Sequence, residues 1–210
     1  ACKNGKWENK SIKYNGYHEL AYLHPNYFKP DISISKMYVD IEKPYFIIRF
    51  SKLGAHHDKG VRGLNDNVAI KLIQKLQSHG KVIITSEREL DKKLEKFRIS
   101  IKPIHMHHIM AFSSLYVGDS QTMAAEAGML GVPFIRYNDF IGKIGYLNHL
   151  ESKYMLGYGI ISGDVEELFS KVDYILKIKN RKKLYLDRRD IMLADKVDVN
   201  KFLEKVIISS

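Results

Sequence analysis

From residue 45 to about residue 180 two patterns alternate along the chain: short unbroken apolar runs, and longer stretches with apolar positions three and four apart. Tyr45-Phe46-Ile47-Ile48-Arg49-Phe50 is continuous apart from Arg49, which predicts a strand buried on both faces, as strands of parallel sheets are. Val68, Ala69, Leu72, Ile73 and Leu76 form a helical stripe closed by Gly80. Lys81-Val82-Ile83-Ile84-Thr85 predicts the second strand. A short helix with a charged outer face is expected from about Glu89 to Phe97, and a short third strand from Ile99 to Ile101. His105 to Phe112 reads as a helix, Leu115-Tyr116-Val117 as the fourth strand, and Phe134 to Tyr137 as the next. Leu147 to Tyr154 predicts a short helix and Gly159-Ile160-Ile161 a last strand. Asp164 caps a strongly amphipathic helix, with Glu167 completing a capping box and Val165, Leu168, Phe169, Val172, Ile175 and Leu176 on one face. Further helices are expected from Arg181 to Ala194 and from Val199 to Ile208.

Strands alternating with helices imply an α/β fold, a Rossmann-like parallel sheet with right-handed crossovers and helices on both faces. Residues 1–44 do not fit that rhythm. Tyr14, Tyr17, Tyr22, Tyr27 and Phe28 alternate with polar residues, and Pro25 and Pro30 interrupt any long helix. The expected division is an N-terminal arm or interdomain linker (1–44), a Rossmann-like domain (45–180) and C-terminal helices (181–210).

Composition narrows this picture. A chain of 210 residues suits one large α/β domain with appendages. It begins with Ala1 rather than Met, so a fragment or a processed chain is expected. No stretch approaches the roughly 18 apolar residues of a membrane span. The single cysteine, Cys2, excludes an internal disulfide and fits a reducing cytoplasm. The net charge of +10 reflects 34 Lys and Arg against 24 Asp and Glu. Much of the excess lies late, in Lys177, Lys179, Arg181, Lys182, Lys183, Arg188 and Arg189, a run that reads as a solvated helix face or as a surface for an anionic membrane. No zinc-finger spacing and no aromatic-rich basic signature is present, so nucleic acid is not the expected partner.

The candidate chemistry centres on Leu115 to Glu126. A strand ends, Gly118 permits a tight turn, and Asp119 and Ser120 are both good N-cap residues for the helix that follows. The unpaired N–H groups of its first turn make a site for an anion such as a diphosphate. Glu126 lies four residues after Thr122, on the same face and roughly 6 Å along the axis, where a carboxylate could accept from ribose hydroxyls. A capped, packed helix carrying a solvated glutamate is the competing reading. In a parallel sheet ligands bind beyond the carboxyl ends of the strands. Chain order brings five polar loops to that rim: Ser51 to Gly63, Ser86 to Arg88, Lys102 to His107, Gly118 to Thr122, and Asn138 to Gly145. Arg49 could meet a phosphate there or pair with an acidic side chain. His105, His107 and His108 with His56, His57 and Asp58 would make a metal site only if they converged; capping and packing are the competing roles, and no metal is expected. Asp139, Gly142 and Gly145 read as a flexible loop over a bound sugar.

Several segments resemble predicted glycosyltransferases of a family of unknown function related to the non-hydrolysing UDP-N-acetylglucosamine 2-epimerases. They are Gly16 to Pro25, Arg49-Phe50-Ser51, Ala55-His56-His57-Asp58, Gly118 to Ala127, and Leu130-Gly131-Val132-Pro133. The resemblance implies the C-terminal, sugar-nucleotide-binding half of a two-domain GT-B fold, its N-terminal acceptor half lying outside this chain. It implies a UDP-sugar as substrate, no other cofactor, and little turnover by this half alone. Gly118 and Asp119 lead into Ser120, Gln121 and Thr122, which stand where related enzymes present a serine and two glycines to the diphosphate. Glu126 stands at the ribose-binding glutamate. Arg49 and Ser51 would face the diphosphate across the cleft, His57 would be a further substrate-binding residue, and His107 would meet the base or phosphates. No catalytic residue is implied. The expected activity is donor binding in a glycosyltransferase of cell-surface polysaccharide or glycolipid synthesis, cytoplasmic or peripheral to the inner face of the membrane, with a lipid-linked acceptor as one partner. A sugar-nucleotide epimerase and a non-catalytic sugar-nucleotide-binding module remain the alternatives.

Overall fold

In the computed structural model, which describes residues 5–52 and 60–208, the apolar runs become parallel strands. In chain order the elements are α1 (Leu20–Leu23), α2 (Ile32–Lys36), β1 (Tyr45–Phe50), α3 (Asp66–Gln77), β2 (Lys81–Ser86) and α4 (Lys92–Glu95). Then come α5 (Met106–Ala111), β3 (Leu115–Gly118), α6 (Gln121–Met129), β4 (Phe134–Tyr137), α7 (Gly145–Ser152) and β5 (Gly157–Ile160). The chain continues through α8 (Val165–Lys177), α9 (Arg181–Ala194) and α10 (Val199–Ile208). The sheet order is β2-β1-β3-β4-β5, all parallel. This is the α/β, Rossmann-like architecture that the alternation predicts.

Successive side chains of a strand face opposite sides, so each strand feeds two cores. Tyr45 and Ile47 of β1 join one core with α5, α6 and α7, whereas Phe46, Ile48 and Phe50 join the other with α3 and α8. The apolar stripes of α3 and α8 are the ones read from the sequence. Tyr17, Leu20 and Leu23 of the N-terminal arm and Met192 and Val199 of the C-terminal helices are buried in the first core. Arm and tail also hold each other: Asn200 Nδ2 donates to Ala21 O at 2.7 Å, the Tyr27 hydroxyl donates to Asp198, and the rings of Tyr14 and Phe202 lie 5.0 Å apart. Part of the late basic run is neutralised locally, Lys183 by Asp187 and Arg189 by Asp190.

Four expectations change. The segment Ile99 to Ile101 is not a strand: next to β2 the chain makes one bridge, Ile84 to Arg98, and then departs toward Pro103. The charged helix before it is one turn, capped by Asp91, rather than the whole of Glu89 to Phe97. The last strand begins at Gly157, two residues early. A Cβ there would come 2.4 Å from Cδ2 of Phe134, so only glycine lets β5 pass beside β4, and Gly-Tyr-Gly carries no apolar signature. At α8 the Asp164 side chain accepts from Glu167 N at 3.0 Å, but the Glu167 carboxylate pairs with Lys171, so only half of the capping box forms.

Candidate functional site

β1 and β3 are neighbours whose onward connections leave on opposite faces of the sheet, through α3 and α6. Between the carboxyl ends of two such strands a crevice opens, the usual ligand position of an open parallel sheet. Its walls are Arg49 and Ser51 at the end of β1 and Gly118, Asp119 and Ser120 at the end of β3 and in the turn after it, with Arg49 in register with Gly118. A Cβ on Gly118 would lie 2.7 Å from the Tyr116 hydroxyl and 2.8 Å from Arg49 O. Glycine is therefore required where the two strands pass.

Of the two candidate caps, Ser120 is the N-cap of α6, its Oγ accepting from Met123 N at 3.3 Å. Asp119 is used differently. Its carboxylate accepts from Ser51 N at 2.7 Å and from Leu64 N at 3.2 Å, and only 2% of the residue is exposed. It is a clasp between the β1 loop and the β3 turn. Burial pushes its carboxyl up, and the two main-chain donors oppose that rise. Arg49 turns toward the end of β2 and pairs with Glu87, leaving its buried Nε without a partner. Gln121 turns toward β4, where its Oε1 accepts from Arg136 Nη1, while Thr122 is exposed. The first N–H groups of α6 have no acceptor inside the helix and face the mouth. His57, with His56 and Asp58, lies outside the described residues.

One helical turn beyond Thr122, Glu126 is 7% exposed, so it is not a solvated glutamate. The Tyr22 hydroxyl donates to its Oε1 at 2.9 Å, and Nε2 of His107 lies 3.1 Å from the same oxygen. A second buried carboxyl, Glu19, accepts from the Tyr146 hydroxyl at 3.1 Å. Its pKa is raised, first by burial and to a lesser extent by the nearby charge of Glu126. The other histidines diverge: His105 Nδ1 is 2.9 Å from the Tyr38 hydroxyl, and His108 Nδ1 accepts from Asp31 N at 2.9 Å. Among the described residues no three His, Cys, Asp or Glu side chains converge as metal ligands. All three histidines instead fasten the helix α5 region, two of them to the arm directly and His107 through the carboxylate it shares with Tyr22.

Asp139 does not hang in a free loop. It accepts from the Ser162 hydroxyl and from Nε and N of Arg62, the latter two at 3.0 Å, and so joins the loop after β1 to the ends of β4 and β5. The Ser162 hydroxyl, followed by Arg62, lowers its pKa to about 2. A carboxyl depressed in the folded state adds stability above its unfolded pKa and loses it as the pH falls through the folded value. Thermal melts of wild type and Asp139→Asn should therefore differ at about pH 5 and converge toward about pH 2. A constant difference across that window would refute the assignment.

No family model matches this sequence, and no curated protein does. Solved structures match by shape. The calicheamicin glycosyltransferase CalG4 superposes with a TM-score of 0.53 over 79% of this chain and 42% of its own, at 13% identity. The spinosyn rhamnosyltransferase SpnG, complexed with spinosyn aglycone, gives 0.52 over 92% and 50%, at 10% identity. The wall teichoic acid polymerase TagF gives 0.51 over 96% and 53%, at 13% identity. The fold is that of one half of a GT-B glycosyltransferase. At such identities the likeness is one of fold, and this chain spans about half the length of these neighbours.

Five residues of this region carry no role in the sequence reading: Glu19, Tyr22, Arg136, Tyr146 and Glu151. Glu19 and Tyr22 fall in a segment that carries the family resemblance, which was the available signal. Arg136 sits inside an apolar strand pattern, and an arginine there already calls for a buried acidic partner.

Proposed function

We propose that this chain is the donor-binding half of a glycosyltransferase that uses a UDP-sugar. The observation that carries the reading is the pairing of two features on α6. Its Ser120-capped mouth opens on the crevice between β1 and β3, and a buried carboxylate, Glu126, stands one turn behind Thr122. A diphosphate at the mouth would meet fixed main-chain donors and the positive end of the helix. The same donors stabilise charge that builds on the leaving diphosphate during transfer, which is how such a half contributes to rate. Ribose hydroxyls would then reach Glu126. The facing wall, with the acceptor, is proposed to come from a second, N-terminal half, so that this half alone turns over little donor. Synthesis of a cell-surface polysaccharide or glycolipid is the setting we propose.

Calorimetry of the chain against UDP tests the reading. Glu126→Gln should weaken UDP binding about tenfold, the usual effect of about 1.4 kcal/mol. Equal affinity of wild type and variant would overturn the ribose assignment.

A further inference from the structure

The Glu126 carboxylate is held by groups of the protein itself, and both of its holders touch one oxygen. Tyr22, on α1 of the N-terminal arm, and His107, on α5, both meet Oε1. A carboxylate can only accept, so His107 Nε2 carries the proton in this contact. The holders support each other: the Tyr22 and His107 rings lie 5.7 Å apart, and Phe28 of the arm stacks edge-on to His107 at 6.0 Å. Two donors from separate elements leave the carboxylate little rotational freedom, whereas an exposed glutamate rotates freely and must be ordered when it grips a ligand.

We infer that Tyr22 and His107 are positioning residues for nucleotide recognition, locking Glu126 through Oε1 so that Oε2 is presented to the ribose hydroxyls. The inference rests on the ribose reading of Glu126 and extends it: the arm, which lies outside the sheet, becomes part of the nucleotide site. Tyr22 acts through Glu126 and not on the ligand. Removing its hydroxyl therefore affects only ligands that bear ribose hydroxyls.

Binding of UDP and of 2′,3′-dideoxy-UDP to this chain, measured by calorimetry with thermal unfolding as the control for folding, tests it. Wild type should prefer UDP. Tyr22→Phe should weaken UDP about fivefold and leave the dideoxy analogue unchanged, because the lost hydrogen bond orients only the carboxylate. His107→Phe should do the same in the same direction. Unchanged or tighter UDP binding by Tyr22→Phe overturns the inference, as does equal weakening of both nucleotides, which marks a merely structural role. If wild type itself fails to distinguish the two nucleotides, the ribose reading of Glu126 falls and this inference with it. If wild type and Glu126→Gln behave as expected while Tyr22→Phe keeps full discrimination, only the positioning role falls.

Discussion

Arg136→Ala should destabilise the protein by about 3–5 kcal/mol, the cost of breaking a buried ion pair from one side. Arg136 is fully buried on β4, its Nε donating to Glu151 at 2.6 Å and its Nη1 to Gln121. Glu151 is itself largely covered, with 14% of its side chain exposed. Truncation leaves that carboxylate without its counter-ion and adds a cavity against a sheet that is buried on both sides. At about 2–4 °C per kcal/mol for a chain of this size, the melting temperature should fall by about 10 °C. Denaturant melts give the free energy directly. The triple variant Arg136→Met, Glu151→Leu, Gln121→Leu should lose less than Arg136→Ala alone, because it removes the charges together. A loss below about 1 kcal/mol for Arg136→Ala would show that the guanidinium bridges nothing of consequence. The same replacement frees Gln121, the first residue of α6, so UDP affinity should fall alongside stability.

The second large effect is expected at Asp119. Asp119→Ala strips two main-chain N–H groups, those of Ser51 and Leu64, of their acceptor in a place water scarcely reaches. Each buried donor left unsatisfied costs about 1–3 kcal/mol, so a total of about 2–6 kcal/mol is expected for the two. Asp119→Asn should be nearly as harmful. An amide offers one accepting oxygen, and its NH2 would face the second main-chain donor. Amide exchange at Ser51 and Leu64 should accelerate in both variants. A harmless Asp119→Asn would mean that one of the two hydrogen bonds is not formed. The prediction separates a clasp from a ligand group, because a residue that only contacted ligand would leave the unliganded stability unchanged.

These two sites also mark what the chain reveals without its structure. The strands β1 to β4 and the helices α3, α8, α9 and α10 follow from apolar spacing alone, since spacing states which face must leave water. Gly118 and the turn at Ser120 follow from local backbone rules, which act over a few residues. Asp119 shows where those rules stop. It is as good a cap as Ser120 by type, and only its 2.7 Å approach to Ser51 N, from the end of a different strand, assigns it to another task. Ile99 to Ile101 shows the same limit, because an alternating Ile-Ser-Ile segment becomes a strand only if a neighbour offers it a ladder.

Local patterns thus determined the α/β class, the position of the helix mouth and the carboxylate one turn behind it. Tertiary structure decided which groups surround that carboxylate. Tyr22 and Glu126 are 104 residues apart in the chain, and Gln121 reaches Arg136 across a strand crossover. Such pairings depend on how the arm lies over α6 and how β4 enters beside β3. These are outcomes of burying whole faces together, and no window of neighbouring residues contains them.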